Sequence, residues 1–175
     1  PPRRAPSGHR TVLTPHQPTV TLTRLQSGIG TLSIEAICPP TVGDARLGVA
    51  YQLDDGRSGV VQYASGLLAA PADSRRPVIA AFHGRYDGVT LDLRQSRRLV
   101  RLAAYVFSES GRSLTWTGTL VATTFGGARV EVPLEYGVHQ GPVVALSLYN
   151  VDGEYVLRAE RELVLGDARE AVRSF

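Results

Sequence analysis

The stretch Asp44–Gln62, DARLGVAYQLDDGRSGVVQ, is the part of the sequence that decides the fold. An apolar run, Leu47–Leu53, precedes the tight turn residues Asp54-Asp55-Gly56, and a second apolar run, Gly59–Tyr63, follows them. Two apolar runs joined by Asp-Gly are typical of a β-hairpin. Acidic residues beside such turns can also hold a hard cation, because calcium prefers oxygen ligands.

The same pattern of short strands and turns extends through the rest of the chain. Turn dipeptides recur at Asp87-Gly88, Gly126-Gly127 and Asp152-Gly153. Short strands at regular spacing predict an all-β protein, an antiparallel β-sandwich of about 9–11 strands. Besides those above, the strand-like runs are Thr19–Leu25, Gly30–Ile37, Val78–Phe82, Val89–Leu93, Leu99–Phe107, Thr117–Thr123, Ala128–Leu134, Val143–Tyr149 and Glu154–Leu165.

Two of these runs are apolar enough to be central strands, and the chain ends in a helical pattern. Leu99–Phe107 and Val143–Tyr149 are nearly continuous apolar runs. We expect the core to include Val100, Leu102, Val106, Trp116, Val144, Leu146 and Leu148. The final residues, Asp167–Phe175, predict a short C-terminal helix with Asp167 as its N-cap.

The first 18 residues differ in composition from the rest. They hold five of the 11 prolines and the basic residues Arg3, Arg4 and Arg10. Proline fixes φ and lacks a backbone donor, so we expect an extended arm or linker over 1–18 and one domain over 19–175. The arm is interpreted as a solvated tether, or as a segment that docks on a neighbour or an anionic surface.

Composition narrows the classes of function. The 175 residues suffice for one good core, no apolar run can span a bilayer, and the formal charge is a modest +3. This charge argues against a nucleic-acid binder, since such proteins concentrate much more positive charge on one face. The lone Cys38 excludes a disulfide within the chain and weakly favours a reducing compartment. Because the chain has no Met, we expect it to be a piece of a longer product.

Four blocks of the sequence, in order, resemble the TerD-like tellurium-resistance family in its compact actinobacterial form. They are YQLDDGRSGVVQ (Tyr51–Gln62), HGRYDGVTLDL (His83–Leu93), RRLVRLAAYVFSESGRSLTW (Arg97–Trp116) and VVALSLYNVDGEYVLRAERE (Val143–Glu162). The resemblance covers roughly residues 20–175. It implies a cytoplasmic β-sandwich linked to stress responses, often with calcium bound at one end and without catalysis. Function taken from fold alone is analogy.

The family's calcium-binding segments correspond here to residues that have lost carboxylates. The first acidic motif aligns with Asp44-Ala45-Arg46-Leu47, and the second aligns with the loop His83–Gly88, where only Asp87 remains. Arg46 and Arg85 stand inside these segments, so we expect calcium binding to be lost or very weak. We expect either arginine to pair with Asp44 or Asp87 in place of the ion. Asp54, Asp55 and Asp92 remain as possible oxygen ligands.

Other constellations support weaker alternatives. His83 and His139 with Asp87 could form a metal site, which would make the protein a metal-dependent hydrolase. They could instead form part of a nucleophilic triad with Ser108 or Ser110. The aromatic set Trp116, Tyr136 and His139 could recognise a sugar. The basic cluster of Arg94, Arg97, Arg98 and Arg101 would close one end of the sandwich, or dock an acidic partner or a phosphate.

The function expected from the sequence is that of a non-catalytic binding or scaffold module in a stress-associated assembly. Its partner would be another protein or a second copy of the chain, bound through the loops and the arm. The predicted contact surface comprises Arg46, His83, Arg85, Arg94, Arg97 and Arg98. The main alternative is a calcium-dependent stress protein, which would use Ca²⁺ as its only cofactor.

Overall fold

Two β-sheets face each other and enclose the core. The computed structural model describes residues 3–6 and 8–163. The seven-stranded sheet has the order β1-β12-β11-β3-β8-β7-β6, the six-stranded sheet has the order β2-β15-β14-β9-β4-β5, and β10 and β13 form a separate ribbon. The all-β sandwich predicted from the sequence is confirmed. Its strand pairs are antiparallel except for β1 with β12.

The bounds of the elements follow the predicted runs closely, although short strands raise their number. The strands are β1 Arg10–Val12, β2 Thr19–Thr21, β3 Thr31–Ile37, β4 Ala45–Leu53, β5 Ser58–Gln62, β6 Ala69–Ala70, β7 Ile79–His83, β8 Asp87–Asp92, β9 Leu99–Ser108, β10 Leu114–Trp116, β11 Thr119–Thr124, β12 Arg129–Pro133, β13 Gly137–His139, β14 Val143–Val151 and β15 Glu154–Leu163. A helix, α1, spans Arg24–Gly28, and 3₁₀ helices span Pro40–Val42, Tyr63–Ser65 and Leu93–Arg98.

Helix α1 stands where the sequence predicts the end of a strand. The expected strand Thr19–Leu25 stops at Thr21. The Thr23 side chain accepts a hydrogen bond from the Gln26 amide, and the Gln26 side chain accepts one from the Thr23 amide. This reciprocal pair is a capping box, which nucleates a helix. The Thr-x-x-Gln spacing was visible in the sequence, but the alternating pattern before it concealed the signal.

The core contains nearly all of the residues expected there. Leu102, Val106, Trp116, Leu146 and Leu148 are buried in the main core, and Val144 is buried in a second cluster described below. Val100 is the exception, with 40 % of its surface exposed. The pairing of β4 with β9 shifts by one residue at this point, so Val100 is the extra residue of a bulge and leaves the core face.

The first residues of the chain pack on the sandwich. β1 pairs with β12, the Ala5 amide donates to the Thr21 carbonyl, and Ala5 and Leu13 are buried. The expected extended conformation is present, but the solvated-tether interpretation is wrong for this stretch because its apolar residues contribute to the core. The predicted C-terminal helix, Asp167–Phe175, lies outside the described residues.

Candidate functional site

A cleft of about 240 Å³ opens at one end of the sandwich, where β4 begins and β7 turns into β8. The two segments that the sequence aligned with calcium-binding loops meet here, as expected. Arg46, His83, Arg85 and Asp87 all line the cleft. The turn between the strands consists of residues 84–86, since β8 already begins at Asp87. The predicted Asp87-Gly88 turn is therefore displaced, because both residues pair with β7.

Asp87 is the buried carboxylate of this cleft. Its side chain is 2 % exposed. One carboxylate oxygen, Oδ1, lies 2.5 Å from Nδ1 of His83, and the other, Oδ2, accepts a hydrogen bond of 3.1 Å from the Leu47 amide. A buried carboxylate needs such partners, because an unpaired one would carry a large desolvation penalty. Both oxygens of Asp87 are therefore engaged within the protein.

His83 connects the buried carboxylate to the surface. Its side chain is 41 % exposed, and its ring stacks on Tyr63 with the ring centroids 5.3 Å apart. Because Nδ1 faces Asp87, the Nε2 atom lies on the opposite, outer side of the ring. His83 thus covers one oxygen of the Asp87 carboxylate on the side that faces the surface.

Asp44 points to a different set of partners. Its carboxylate accepts hydrogen bonds from the Ser108 hydroxyl, at 3.0 Å, and from the Ser110 amide, at 2.7 Å. Hydrogen bonding by Ser110, supported by Ser108, lowers the pKa of Asp44 below its usual value. Asp44 therefore holds the loop that follows β9 in place, a structural role that the sequence did not indicate.

The two arginines of the cleft also have partners other than those expected. Nε of Arg46 lies 2.8 Å from Oε2 of Glu109, and one terminal nitrogen donates to the Ala45 carbonyl. Arg85 is exposed and its guanidinium lies 5.6 Å from the centre of the Tyr86 ring, a cation–π arrangement. The predicted pairing of Arg46 or Arg85 with Asp44 or Asp87 is wrong, because nearer hydrogen-bond partners satisfy both carboxylates.

These residues do not fit a calcium ion. Calcium takes about six to eight oxygen ligands, several of them carboxylates. Asp87 is bonded to His83 and to a backbone amide, Asp44 is bonded to two serines, and the positively charged Arg46 lines the cleft. Within residues 3–6 and 8–163, no three His, Cys, Asp or Glu side chains are grouped closely enough to hold a metal.

Asp54 and Asp55 lie at the other end of the sandwich. They follow the last residue of β4, a nine-residue strand, and are therefore roughly 27 Å from its start. Asp55 accepts from the Arg57 amide at 2.9 Å and from Nε of Arg57 at 2.8 Å. The hairpin interpretation of Asp54-Asp55-Gly56 is confirmed, since Gly56 has a φ of 87° and its amide bonds to Leu53.

The predicted contact surface is divided between the two ends. Arg94, Arg97 and Arg98 belong to the 3₁₀ helix Leu93–Arg98, beside Asp54 and far from the cleft. Arg94 forms a two-bond ion pair with Asp92, at 2.9 and 3.2 Å, and this pair lowers the pKa of Asp92. Of the six residues of the predicted contact surface, only Arg46, His83 and Arg85 therefore line the cleft.

Of the residues proposed for hydrolysis, the structure joins His83 to Asp87 but, over the residues that it describes, links neither serine to a histidine. Nδ1 of His139 accepts a hydrogen bond of 2.7 Å from the Gly141 amide, and the His139 carbonyl accepts one from the Trp116 indole. The Ser108 hydroxyl is bonded to Asp44 and lies 3.2 Å from that of Ser110. Among the hydrogen bonds of the described part of the chain, none links either serine to a histidine.

Cys38 lines the cleft, which the sequence reasoning did not anticipate. Burial raises the pKa of its thiol to about 11. The only signal was its position after the predicted strand Gly30–Ile37 and before two prolines, which places it at a strand end. At neutral pH the thiol is therefore protonated and forms part of the cleft wall. It is also unreactive, because the thiolate is the reactive form of cysteine.

Comparison with known proteins supports the fold and assigns no family. No protein-family model matches the chain, and no curated protein matches it. Among solved structures, that of SAV2460, described as a protein of unknown function, is similar with a TM-score of 0.50 and 18 % sequence identity. The match covers 82 % of this chain and 94 % of that one. The protein thus belongs to the class of antiparallel β-sandwiches.

No helix in the described part of the chain is long and apolar enough to cross a membrane.

Proposed function

We propose that the protein is a TerD-like, non-catalytic binding module of a cytoplasmic stress-response assembly, of the tellurite-resistance type. In this proposal the end that corresponds to the family's calcium site has become a contact surface for a protein partner. The resemblance of the four sequence blocks supports the family in this proposal, and the cleft supports the position of the contact surface. Its chemistry comes from Arg46, His83 and Arg85.

The observation that carries the proposal is the pairing of Asp87. A carboxylate 2 % exposed in its side chain is bonded to His83 and to the Leu47 amide, so the protein itself supplies what an ion would. Through the Leu47 amide the Asp87 side chain joins β8 to β4, and through His83 it also holds the end of β7. The cleft is consequently preorganised without a cation, and preorganised surfaces bind with a smaller entropic penalty.

The charge of the cleft rim indicates the chemistry of the partner. Arg85 is exposed and has no carboxylate bonded to it among the described residues. Arg46 is paired with Glu109, whose side chain is 46 % exposed and can be displaced by a stronger ligand. Guanidinium groups bind carboxylates in a two-bond geometry, and arginine is enriched at the centres of interfaces. We therefore expect an acidic loop of the partner to enter the cleft.

Native mass spectrometry of the protein purified gently from cells tests the proposal. Wild type, Arg46→Glu and Arg85→Glu are compared with Arg97→Glu, a matched charge reversal at the opposite end of the sandwich. We expect a protein partner, or a second copy, that is retained by wild type and Arg97→Glu and lost from both cleft variants. Equal retention by all four proteins would contradict the proposal, as would a retained calcium or zinc ion.

A further inference from the structure

The outer face of the six-stranded sheet carries a trough of about 500 Å³. Its floor is one row of directly opposed residues that crosses four strands: Ala50 of β4 faces Ala103 of β9, which faces Ser147 of β14, which faces Arg158 of β15. Side chains that oppose one another in neighbouring strands lie on the same face of a sheet. The row therefore forms a continuous strip across the sheet.

The strip is concave because three of its four residues, Ala50, Ala103 and Ser147, are small and their neighbours are large. Ala50, Ala103 and Ser147 are 2, 4 and 8 % exposed although they face away from the main core. Ala50 and Ala103 belong with Tyr105 and Val144 to a second apolar cluster, separate from the main core. The trough thus has an apolar floor between taller walls, which is the usual shape of a small-molecule site.

Arg101 forms one wall, and it has no partner within the described residues. It stands next to Ala103 along the same face of β9, between Gln52 of β4 and Tyr149 of β14. Its Nε atom is buried and makes no hydrogen bond. A buried donor without an acceptor is destabilising, and native proteins satisfy nearly all such groups. A hydrogen-bond acceptor on a bound ligand would satisfy the buried Nε of Arg101.

The other charges of the trough are already balanced. Arg158 lies 3.3 Å from Glu160, and the same carboxylate accepts a hydrogen bond of 2.9 Å from the Ser147 hydroxyl. These groups fix one end of the trough. Arg101 consequently gives the trough a net positive charge, at the side where Tyr149 also stands.

We propose that this trough binds a small organic anion: a carboxylate or a phosphate attached to a flat apolar body. The anionic group bonds to the Arg101 guanidinium and satisfies its buried Nε. The flat body lies over Ala50 and Ala103, beside the Tyr149 ring. The trough volume falls within the range of about 300–1,000 Å³ found for small-molecule sites. The proposal is independent of the cleft function, since the trough and the cleft share no lining residue.

Titration followed by NMR tests the trough with defined probes. Benzoate and phenyl phosphate are added separately to the isotope-labelled protein, with benzyl alcohol as the neutral control of similar shape. We expect saturable shifts of the Ala50 and Ala103 methyl signals, with a Kd of about 1 mM or tighter for at least one anion. The relative affinity of the two anions distinguishes a carboxylate ligand from a phosphate ligand.

Three variants give the proposal its controls. Arg101→Gln should weaken anion binding at least about tenfold, because a charge-assisted hydrogen bond is lost. Ala103→Leu should block binding by filling the floor. Arg97→Gln, an exposed arginine outside the trough, should bind as wild type does.

Other outcomes would overturn the proposal. These are saturable binding of benzyl alcohol as tight as that of the anions, shifts confined to the cleft, or no saturable shift with either anion. A concentration-dependent dimer that Ala103→Leu abolishes would also overturn it, because the trough would then be an interface between two copies of the chain.

Discussion

Replacement of His83 by alanine tests whether an internal contact holds the buried carboxylate. In the variant, Oδ1 of Asp87 loses its partner at 2.5 Å, while the Leu47 amide remains bonded to Oδ2. A hydrogen bond to a charged group contributes about 1.5–3 kcal/mol. For a protein of this size, about 1 kcal/mol corresponds to roughly 2–4 °C in Tm, so His83→Ala should lower Tm by about 3–12 °C.

A double-mutant cycle separates this contact from the other contacts of His83. Free energies of unfolding are measured by urea denaturation for wild type, His83→Ala, Asp87→Asn and the double variant. We expect a coupling energy of about 1.5–3 kcal/mol between the two positions. Tyr63→Ala is the control for the stacking contact, which joins two exposed rings and should contribute little.

Two results would refute the reasoning. If the two single substitutions add without coupling, the hydrogen bond does not stabilise the fold. If the loss in His83→Ala is restored by adding calcium, a cation can take the place of the histidine, and the cleft is a calcium site.

Three further predictions follow from local contacts. Gly48→Ala should destabilise by about 1–3 kcal/mol in urea denaturation, because its Cβ would overlap the buried Tyr105 ring, whereas Gly84→Ala, with open space around it, should be nearly neutral. Asp44→Asn should lower Tm at neutral pH, because the folded-state pKa of Asp44 lies below its ordinary value of 3.8. The difference in Tm between wild type and Asp44→Asn should be constant above about pH 5. It should shrink as the solution is acidified through the folded-state pKa. The Cys38 thiol, with its pKa raised from 9.0 to about 11, should react with a disulfide reagent at pH 8 about 100-fold more slowly than an exposed thiol, and a rate equal to that of free cysteine would contradict its burial.

The strands were predictable because each is a short, local pattern. The hairpin Ala45–Leu53 to Ser58–Gln62 follows from alternating apolar residues around Asp-Gly, and the structure reproduces it. Val100 was misplaced because a bulge is decided by the pairing between strands, which the sequence of one strand does not contain. The packing of Leu13 was missed for a similar reason, since a proline-rich segment gives no period from which its partner strand can be inferred.

The site was predictable in place and less so in detail. The sequence analysis assigned Arg46, His83, Arg85 and Asp87 to one end, and they meet there because β4 of one sheet faces β7 and β8 of the other. The choice of His83 as the partner of Asp87 depends on side-chain geometry after folding, and so does the turn of Asp44 toward Ser108. The trough was not visible at all, because Ala50, Ala103 and Ser147 lie on three different strands and form a strip only once the register is known.

Calcium titration by calorimetry tests the central claim most directly: His83 and the Leu47 amide satisfy the buried Asp87 carboxylate, so the cleft needs no cation. Wild-type protein, stripped with a chelator, is titrated with calcium beside Asp87→Asn. We predict no saturable heat in the range of about 10⁻⁷–10⁻⁵ M, where calcium sensors bind, and no rise in Tm with added calcium. Saturable micromolar binding by wild type that Asp87→Asn abolishes would contradict the account.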